Sequence, residues 1–255
     1  MQWRNTSIAP RNPMLAIDVG NSHWVLGLFQ GPQLEKILRI PSDAMTSPEV
    51  ILRTFKNLLG ENRVRDLQNE VLPLTVSSVV KPATQLIQAT FPQARIIDEK
   101  WPFSFEIATE SPQQTGVDRL VNAHAAIEIF KEQKDPKRAR PLVIVDAGTA
   151  TTVCAVTASR IFLGGAICPG LGISAEALFQ KAPALPRVRL EIPEKAIGMS
   201  TEPALQSGIV RGYSCLVDGL VSQFSEELEL RGKQEPPLFV ITGGFSRLLK
   251  EASQH

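Results

Sequence analysis

The same short pattern occurs twice in the chain, and its two aspartates lie 128 positions apart, about half of the 255 residues. In each copy an apolar run ends in the aspartate of a D-x-G turn, and a second run of β-forming residues follows. The first copy is Met14 to Asp18 (MLAID), Val19-Gly20-Asn21-Ser22 and His23 to Phe29 (HWVLGLF). The second is Leu142 to Asp146 (LVIVD), Ala147-Gly148-Thr149-Ala150 and Thr151 to Thr157 (TTVCAVT). This spacing favours an internal duplication in which each copy forms a β-hairpin.

The remaining segments alternate between helical and strand patterns. Helices are predicted at Pro48 to Leu59, Pro82 to Phe91, Val117 to Phe130, Ser174 to Gln180, Pro203 to Glu229 and Ser246 to Ala252. Further strands are predicted at Leu74 to Val80, Ala94 to Ile97, Arg160 to Gly165 and Leu238 to Thr242. Strand pairs followed by alternating helices in each half predict two α/β domains that face a cleft.

The charge balance gives no general attraction to polyanions. Lys plus Arg total 27 and Asp plus Glu total 26, so the formal net charge is +1, and neither nucleic acid nor an anionic membrane is favoured as a partner. Lys131 to Arg140 (KEQKDPKRAR) carries seven charges in ten residues and is interpreted as a solvated loop. A basic nucleic-acid patch is the alternative, but acids are interspersed and no aromatic residue interleaves.

Cysteine usage and the N-terminus predict a cytoplasmic protein. Cys154, Cys168 and Cys215 form no C-x-x-C pair, and their odd number argues against a disulfide framework. Met1 to Pro13 lacks the apolar core of a signal peptide. No stretch reaches the roughly 18 consecutive apolar residues that a membrane span needs.

The two D-x-G turns have the chemistry of phosphate loops. Gly20 and Gly148 allow backbone N–H groups to approach a phosphate without an intervening Cβ, and neighbouring polar side chains add donors. Asp18 is suited to Mg²⁺ or to a water that bridges to it, because hard cations prefer carboxylate oxygens. An ordinary hairpin turn explains either copy alone. Two copies in opposed halves favour ATP, which is large enough to be gripped by both.

The segment Thr115-Gly116-Val117-Asp118-Arg119 opens a long apolar helix and has two interpretations. T-x-x-D before an apolar run resembles a capping box, in which Asp118 only satisfies the helix end. Arg119 fits that interpretation poorly, because a cation at a helix N-terminus opposes the helix dipole. If the pair faces an anionic ligand instead, Arg119 binds a carboxylate through its guanidinium fork and Asp118 accepts a hydroxyl proton.

Two glycine-rich segments carry weaker signals. Leu238 to Arg247 (LFVITGGFSR) places Gly243-Gly244 between a strand and a helix, which suits contact with adenine or ribose, or simply a tight turn. Gly164 to Leu178 (GGAICPGLGISAEAL) lacks the P-loop and Rossmann spacings, so closure of a cleft and a subunit contact both stay open. The scattered histidines His23, His124 and His255 predict no metal cluster.

Duplicated D-x-G loops resemble those of the acetate kinase, sugar kinase, Hsp70 and actin superfamily. DVGNS, GVDR and DAGTATT resemble the DxGNT, GxDR and DxGTATT motifs of the type III pantothenate kinases. GGAICPGLGISAEALFQKAPALP, GMSTEPALQSGIVRGY and ITGG are similar to further segments of that family, in family order. The resemblance implies an α/β fold with two similar domains of the acetate/sugar kinase–Hsp70–actin (ribonuclease H-like) type around an ATP cleft. They are expected as actin-like ATPase-type domains at 1–135 and 136–255.

The resemblance also implies an activity and a site. The activity is ATP-dependent phosphorylation of pantothenate to 4′-phosphopantothenate, the first step of coenzyme A biosynthesis, by a homodimer that needs Mg²⁺ and a monovalent cation, K⁺ or NH₄⁺. The ATP contacts carry over to Asp18, Val19, Gly20, Asn21, Ser22, His23, Trp24, Val25 and Thr149. The pantothenate contacts carry over to Gly116, Val117, Asp118, Arg119 and Thr201, with Asp118 as catalytic base, and the monovalent cation carries over to Asp146.

The sequence departs from the family pattern at two places. Ser22 stands where Thr is usual, and Thr109-Glu110-Ser111-Pro112 stands where the family often has Y-x-N-P. The tyrosine of Y-x-N-P belongs to the substrate pocket in that family, and Thr109 stands in its place here, so a roomier pantothenate pocket is expected. The alternative functions are another small-molecule kinase of the superfamily and a non-catalytic transcriptional accessory factor, although no helix-turn-helix, basic stripe or charge excess supports DNA contact.

Overall fold

The structure is a computed structural model that describes residues 13–31, 33–131, 139–231 and 235–253. Contacts between Cα atoms divide the chain into two units, Met1–Phe103 with Gln113–Val121 and Ser104–Pro112 with Asn122–His255. The predicted boundary between residues 135 and 136 lies outside the described residues, as does most of the charged segment from Lys131 to Arg140. None of the described helices is both long enough and apolar enough to cross a membrane.

The first unit is built on a five-stranded mixed sheet. Its strands are β1 (Met14–Val19), β2 (His23–Gln30), β3 (Gln33–Pro41), β4 (Leu74–Ser78) and β5 (Arg95–Ile96), in the order β3-β2-β1-β4-β5. β1 pairs antiparallel with β2 and parallel with β4. Its helices are α1 (Pro48–Leu59), α2 (Glu61–Gln68) and α3 (Lys81–Thr90).

The core of the first unit lies on one face of this sheet. Leu15, Ile17 and Val19 alternate along β1 and are buried, so the residues between them point to the other face. Phe55 of α1 and Ile87 of α3 belong to the same buried cluster. The alternation therefore places Asp18 on the face opposite the core, where it is exposed.

The second unit contains another five-stranded mixed sheet. Its strands are β6 (Glu106–Ile107), β7 (Leu142–Ala147), β8 (Ala150–Val156), β9 (Ile161–Pro169) and β10 (Leu238–Thr242), in the order β10-β7-β8-β9-β6. Its helices are α5 (Leu171–Lys181), α6 (Thr201–Gln206), α7 (Gly212–Leu230) and α8 (Ser246–Ala252), with a π-helical turn at Ser207–Arg211. Helix α4 (Val117–Lys131) has its first residues in one unit and the rest in the other.

Four strands follow the same plan in both units. The order β9-β8-β7-β10 repeats β3-β2-β1-β4, with antiparallel pairs in the two hairpins and a parallel pair at the end. Asp18 and Asp146 are both the penultimate residue of the strand that pairs with the parallel neighbour. This common topology confirms the predicted duplication and the predicted α/β fold.

Candidate active site

The first aspartate loop is the turn between β1 and β2. Gly20 closes it by donating its backbone N–H to the His23 carbonyl at 3.0 Å. Ser42 supports it from beyond β3, since Ser42 Oγ donates to the Gly20 carbonyl at 2.8 Å and Ser42 N–H to the Ser22 carbonyl at 3.0 Å. A trans peptide directs its C=O and N–H in opposite directions, so the Asn21 N–H points away from Ser42.

The side chains of this loop divide between solvent and core. Those of Asp18, Asn21, Ser22 and His23 are exposed, and Val25 is half-buried. Val19 and Trp24 are 0% exposed and belong to the buried cluster of the first unit. Of the predicted ATP contacts, Val19 and Trp24 can therefore offer only backbone atoms to a ligand.

The second aspartate loop is the turn between β7 and β8, and it is held in the same manner. The Ala147 carbonyl accepts the Phe245 N–H at 3.0 Å, and the Thr149 carbonyl accepts the Gly170 N–H at 3.1 Å. By the same peptide geometry, the Gly148 N–H points away from Phe245. Thr149 is exposed. Each loop thus has carbonyls tied back to its own unit and an N–H directed the other way, an arrangement suited to an anion.

Two glycines allow other segments to pack tightly against the second loop. A Cβ on Gly170 would lie 2.1 Å from the Thr149 carbonyl oxygen and 2.4 Å from that of Gly148. Gly243 has φ +92°, and its Cβ would lie 2.5 Å from Asp146 Oδ1. Position 243 therefore requires glycine for two reasons, the positive φ of the strand-to-helix turn and the close approach of the Asp146 carboxylate.

The Asp146 carboxylate is half-buried and held by an amide. Asn122 Nδ2 donates to Asp146 Oδ2 at 2.9 Å, which orients the carboxylate without neutralising its charge. Within the described ranges, no group of three or more His, Cys, Asp and Glu side chains is arranged to hold a metal ion. The donor that Asp146 itself offers is a carboxylate oxygen, which suits a hard cation.

The predicted substrate segment forms the first turn of α4. Asp118 Oδ1 accepts the Arg119 backbone N–H at 2.8 Å, and a Cβ on Gly116 would lie 2.5 Å from this same oxygen. Asp118 and Arg119 are half-buried, whereas Val117 is 9% exposed. The Gly116 carbonyl accepts the same N–H at 3.1 Å, so the Asp118 carboxylate is a second acceptor at the helix end, and the helix-end interpretation of Asp118 has a contact to support it.

Tyr213 of α7 contacts the strand that follows the second loop, from within the core of the second unit. Its hydroxyl hydrogen-bonds Thr151 Oγ1 at the start of β8, and both residues are buried. Burial raises the pKa of Tyr213 to about 12, the charges of Cys168 and Asp146 act in the same direction, and a backbone hydrogen bond from Leu171 opposes them. This hydroxyl therefore joins α7, β8 and the start of α5 next to the aspartate loop.

Two further residues of the second unit were singled out from the sequence, Thr201 and Thr109, and they lie on different elements. Thr201 is exposed at the start of α6, which borders a groove of about 340 Å³ that Leu178, Leu216 and Tyr213 also line. Thr109 is half-buried, and its Cγ2 lies 3.4 Å from where a Cβ on Gly164 would stand. Thr109 therefore lies beside β9, where a Cβ at position 164 would meet its side chain at an ordinary van der Waals distance.

Sequence reasoning missed the residues that support the loops. Ser42 lies 22 positions from Gly20, Asn122 lies 24 from Asp146, and Tyr213 lies 62 from Thr151. None has a local pattern that marks it. For Tyr213 one compositional signal exists, since it is the single tyrosine of the chain and sits in an apolar helix.

Two α/β units with the same four-strand order, each with an aspartate loop at the same strand end, define the acetate/sugar kinase–Hsp70–actin class of fold. Within that class the chain belongs to the type III pantothenate kinase family, whose model matches residues 14–223.

Several solved structures are similar to this chain at low sequence identity. One is a conserved Baf family protein of Campylobacter jejuni, described as a candidate transcriptional activator, with 20% identity, a TM-score of 0.53 and coverage of 94% of this chain and 96% of that one. The activator of 2-hydroxyisocaproyl-CoA dehydratase from Clostridium difficile, with bound ADPNP, has 14% identity, a TM-score of 0.48 and coverage of 94% and 84%. Glucokinase from Parabacteroides distasonis has 13% identity, a TM-score of 0.47 and coverage of 99% and 79%. The likeness to the Campylobacter jejuni protein concerns the fold alone.

Proposed function

We propose that this protein transfers the γ-phosphoryl group of ATP to pantothenate and so makes 4′-phosphopantothenate, the first step of coenzyme A biosynthesis. The observation that carries the proposal is the family match over residues 14–223, which includes both aspartate loops and the GVDR segment. The way in which each loop is tied back by its carbonyls supports a role in binding phosphates.

In this proposal the nucleotide is bound by residues of both loops. Asp18, Asn21, Ser22 and His23 offer exposed side chains, Val25 a half-buried one, and Val19, Gly20 and Trp24 offer backbone atoms; Thr149 adds a hydroxyl. Mg²⁺, when bound with ATP, supplies charge neutralisation for the phosphates, and the exposed Asp18 carboxylate has the oxygen chemistry to hold it.

The acceptor is bound and activated at the start of α4. Asp118 takes the proton of the primary hydroxyl of pantothenate, whose oxygen then attacks the γ-phosphorus in line as ADP leaves. Because Asp118 Oδ1 accepts the Arg119 N–H, the base function falls to Oδ2. Arg119 binds the pantothenate carboxylate, the buried Val117 and Gly116 contribute backbone, and the Thr201 hydroxyl is a further contact.

Asp146 is the proposed monovalent-cation residue. A carboxylate beside a triphosphate is repulsive unless a cation lies between them. The family resemblance implies K⁺ or NH₄⁺ as this cation, so activity is expected to be higher in K⁺ or NH₄⁺ than in Na⁺. Homodimer assembly stays a prediction from the family resemblance, and a cytoplasmic location stays a prediction from the cysteine usage.

The test is ADP release from ATP and Mg²⁺ with a panel of pantothenate, sugars and short acids, each in K⁺ and in Na⁺ buffer. Pantothenate-dependent release that K⁺ stimulates is expected. Release with a sugar or acetate and none with pantothenate would assign the chain to another kinase activity of the superfamily. Absence of release with every acceptor would favour a non-catalytic role as a transcriptional accessory factor; the Campylobacter jejuni protein is described as a candidate transcriptional activator.

A further inference from the structure

The hydroxyl of Ser77 is buried next to the first aspartate loop and has no hydrogen-bond partner among the described residues. Ser77 lies near the end of β4, is 5% exposed, and is in register with Asp18 on the parallel neighbour β1. Register partners on adjacent strands point to the same face of a sheet, and Leu15 with Leu74 and Ile17 with Val76 fill the other face. The Ser77 hydroxyl and the Asp18 carboxylate are therefore neighbours.

A buried hydroxyl without a partner is destabilising, because it loses its bonds to water and gains none in return. The next residue shows what a structural serine looks like in the same segment. Ser78 Oγ accepts the Val80 N–H at 3.2 Å and the Thr84 hydroxyl at 2.8 Å, both at the start of α3. The hydroxyl of Ser78 is thus used to hold the start of α3, whereas the hydroxyl of Ser77 takes part in none of the hydrogen bonds within the described first unit.

The second unit repeats this placement. Thr242 ends β10 and is in register with Asp146 on the parallel neighbour β7, just as Ser77 is with Asp18. Each of the two aspartates thus has a hydroxyl residue beside it at the carboxyl end of the adjacent parallel strand. Ligands of open α/β sheets bind beyond the carboxyl ends of the strands, so this is where a hydroxyl can meet one.

We propose that Ser77 is a positioning residue for the divalent cation, and that its hydroxyl hydrogen-bonds a water of the hydrated cation that Asp18 holds with the nucleotide. The proposal rests on the proposed function, since it needs a metal–nucleotide complex at the first loop. Asp18 is exposed, so a cation that it holds carries its water shell to the edge of the Ser77 site. Mg²⁺ keeps several of its waters when proteins bind it, which provides the missing partner.

The test compares Ser77→Ala with the adjacent control Ser78→Ala. The melting temperature is measured without ligand, and ADP binding is measured by calorimetry with Mg²⁺ and again with EDTA. Ser77→Ala should melt at the wild-type temperature or above it, because it removes an unsatisfied hydroxyl. Its affinity for ADP should fall about three- to tenfold with Mg²⁺, as expected for one lost hydrogen bond, and stay unchanged with EDTA.

Ser78→Ala should show the opposite pattern, with a lower melting temperature and wild-type ADP affinity, because it loses the bonds to Val80 and Thr84. A lower melting temperature for Ser77→Ala would assign Ser77 to packing and overturn the proposal. An equal loss of affinity with Mg²⁺ and EDTA would also overturn it, since the hydroxyl would then contact the nucleotide itself. Unchanged Mg²⁺-dependent affinity in Ser77→Ala overturns this proposal alone, whereas a wild-type chain that binds no ADP overturns the proposed function with it.

Discussion

The Asp118 carboxylate has two candidate roles that a single substitution separates. Asp118→Asn keeps an oxygen that can accept the Arg119 N–H, so a helix-end role would survive with a loss of about 1 kcal/mol at most. A general base is lost outright, which lowers the rate by ~10²–10⁴. We therefore expect Asp118→Asn to melt near the wild-type temperature and to turn over far more slowly at saturating pantothenate, as measured by steady-state ADP release.

Arg119→Ala is the matched comparison for this experiment. It removes a partner of the substrate carboxylate in ground and transition states alike, so the Michaelis constant for pantothenate should rise while kcat changes little. Turnover of Asp118→Asn within a few-fold of wild type would contradict the base assignment and leave Asp118 as a helix-end residue.

Tyr213 makes a prediction about alkaline pH. Burial raises its pKa to about 12, against about 10 in an unfolded chain, so the unfolded state loses the proton first as the pH rises. Stability from the neutral hydroxyl is complete below about pH 10 and is lost towards pH 12. Because Tyr213 is the single tyrosine of the chain, tyrosinate absorbance reports its ionisation directly. The free energy of unfolding should fall less steeply between pH 10 and 12 in Tyr213→Phe than in wild type, and a tyrosinate midpoint near 10 in the folded protein would refute the prediction.

At the scale of elements, the ends of helices and strands were predicted well where the local sequence pattern is strong. Helix α1 spans Pro48–Leu59 as predicted, because Pro suits the first helical position and Ser47 Oγ accepts the Val50 N–H at 3.3 Å. Strand β10 also has its predicted bounds, and the predicted helix Val117 to Phe130 is one residue longer in the structure. These segments combine a continuous or periodic apolar pattern with a clear start signal.

Elements that depend on their neighbours were missed. Strand β3 reads QLEKILRIP and is mostly exposed, because it lies at the edge of the sheet that the described residues form and pairs there with β2. Helix α2 is highly charged and buries only Val64 and Leu67 among its eight residues. The predicted helix Pro203 to Glu229 is helical over its whole length, but the π-helical turn Ser207–Arg211 between α6 and α7 was not predicted. In each of these segments the secondary structure depends on packing against neighbouring elements, which the local sequence propensity does not indicate.

The contact between the start of α5 and the second loop gives a prediction for Gly170. Its φ of −67° suits any residue, so the objection to Gly170→Ala is the Cβ, which would lie 2.1 Å from the Thr149 carbonyl oxygen. Backbone must move to admit it, at a cost of about 1–3 kcal/mol. We expect chemical denaturation to show this loss, together with weaker ATP binding through Thr149.

Gly219→Ala is the control, since it lies within α7 and a Cβ there would have nothing within 4 Å. That variant should be more stable than wild type by about 0.5–1 kcal/mol, because alanine favours the helix, and should bind ATP normally. Wild-type stability in Gly170→Ala would mean that the close approach of α5 to the loop is not maintained in solution.

At the scale of the whole molecule, the sequence predicted the duplication but not the residues that hold the two aspartate loops in place. The half-chain spacing of Asp18 and Asp146 predicted two related units, and the strand orders agree with it. The strand ends and turns follow from local sequence. Which segment holds each loop does not, because Ser42 and Asn122 reach their partners over more than 20 positions and are ordinary polar residues in the sequence. Contacts of that kind are set by the packing of the elements, which local patterns do not specify.

The duplication also predicts how the molecule responds to nucleotide. If residues of both loops bind ATP, Mg²⁺–ATP stabilises the folded chain in proportion to ln(1 + [ATP]/Kd), by about 2.7 kcal/mol at a hundredfold excess over Kd. The melting temperature should then rise by roughly 5–10 °C. A tenfold weaker site lowers the stabilisation by about 1.4 kcal/mol at the same ATP concentration, so about half of the shift should be lost.

Asp18→Asn in the first unit and Thr149→Ala in the second should each lose part of this shift, because each removes one polar side chain from an exposed loop position. Differential scanning fluorimetry at one fixed ATP concentration measures both, with Gly219→Ala as the variant that should keep the full shift. Since neither substitution empties a core, their ligand-free melting temperatures should stay close to wild type. A full shift in one of the two loop variants would exclude the substituted side chain as a nucleotide contact.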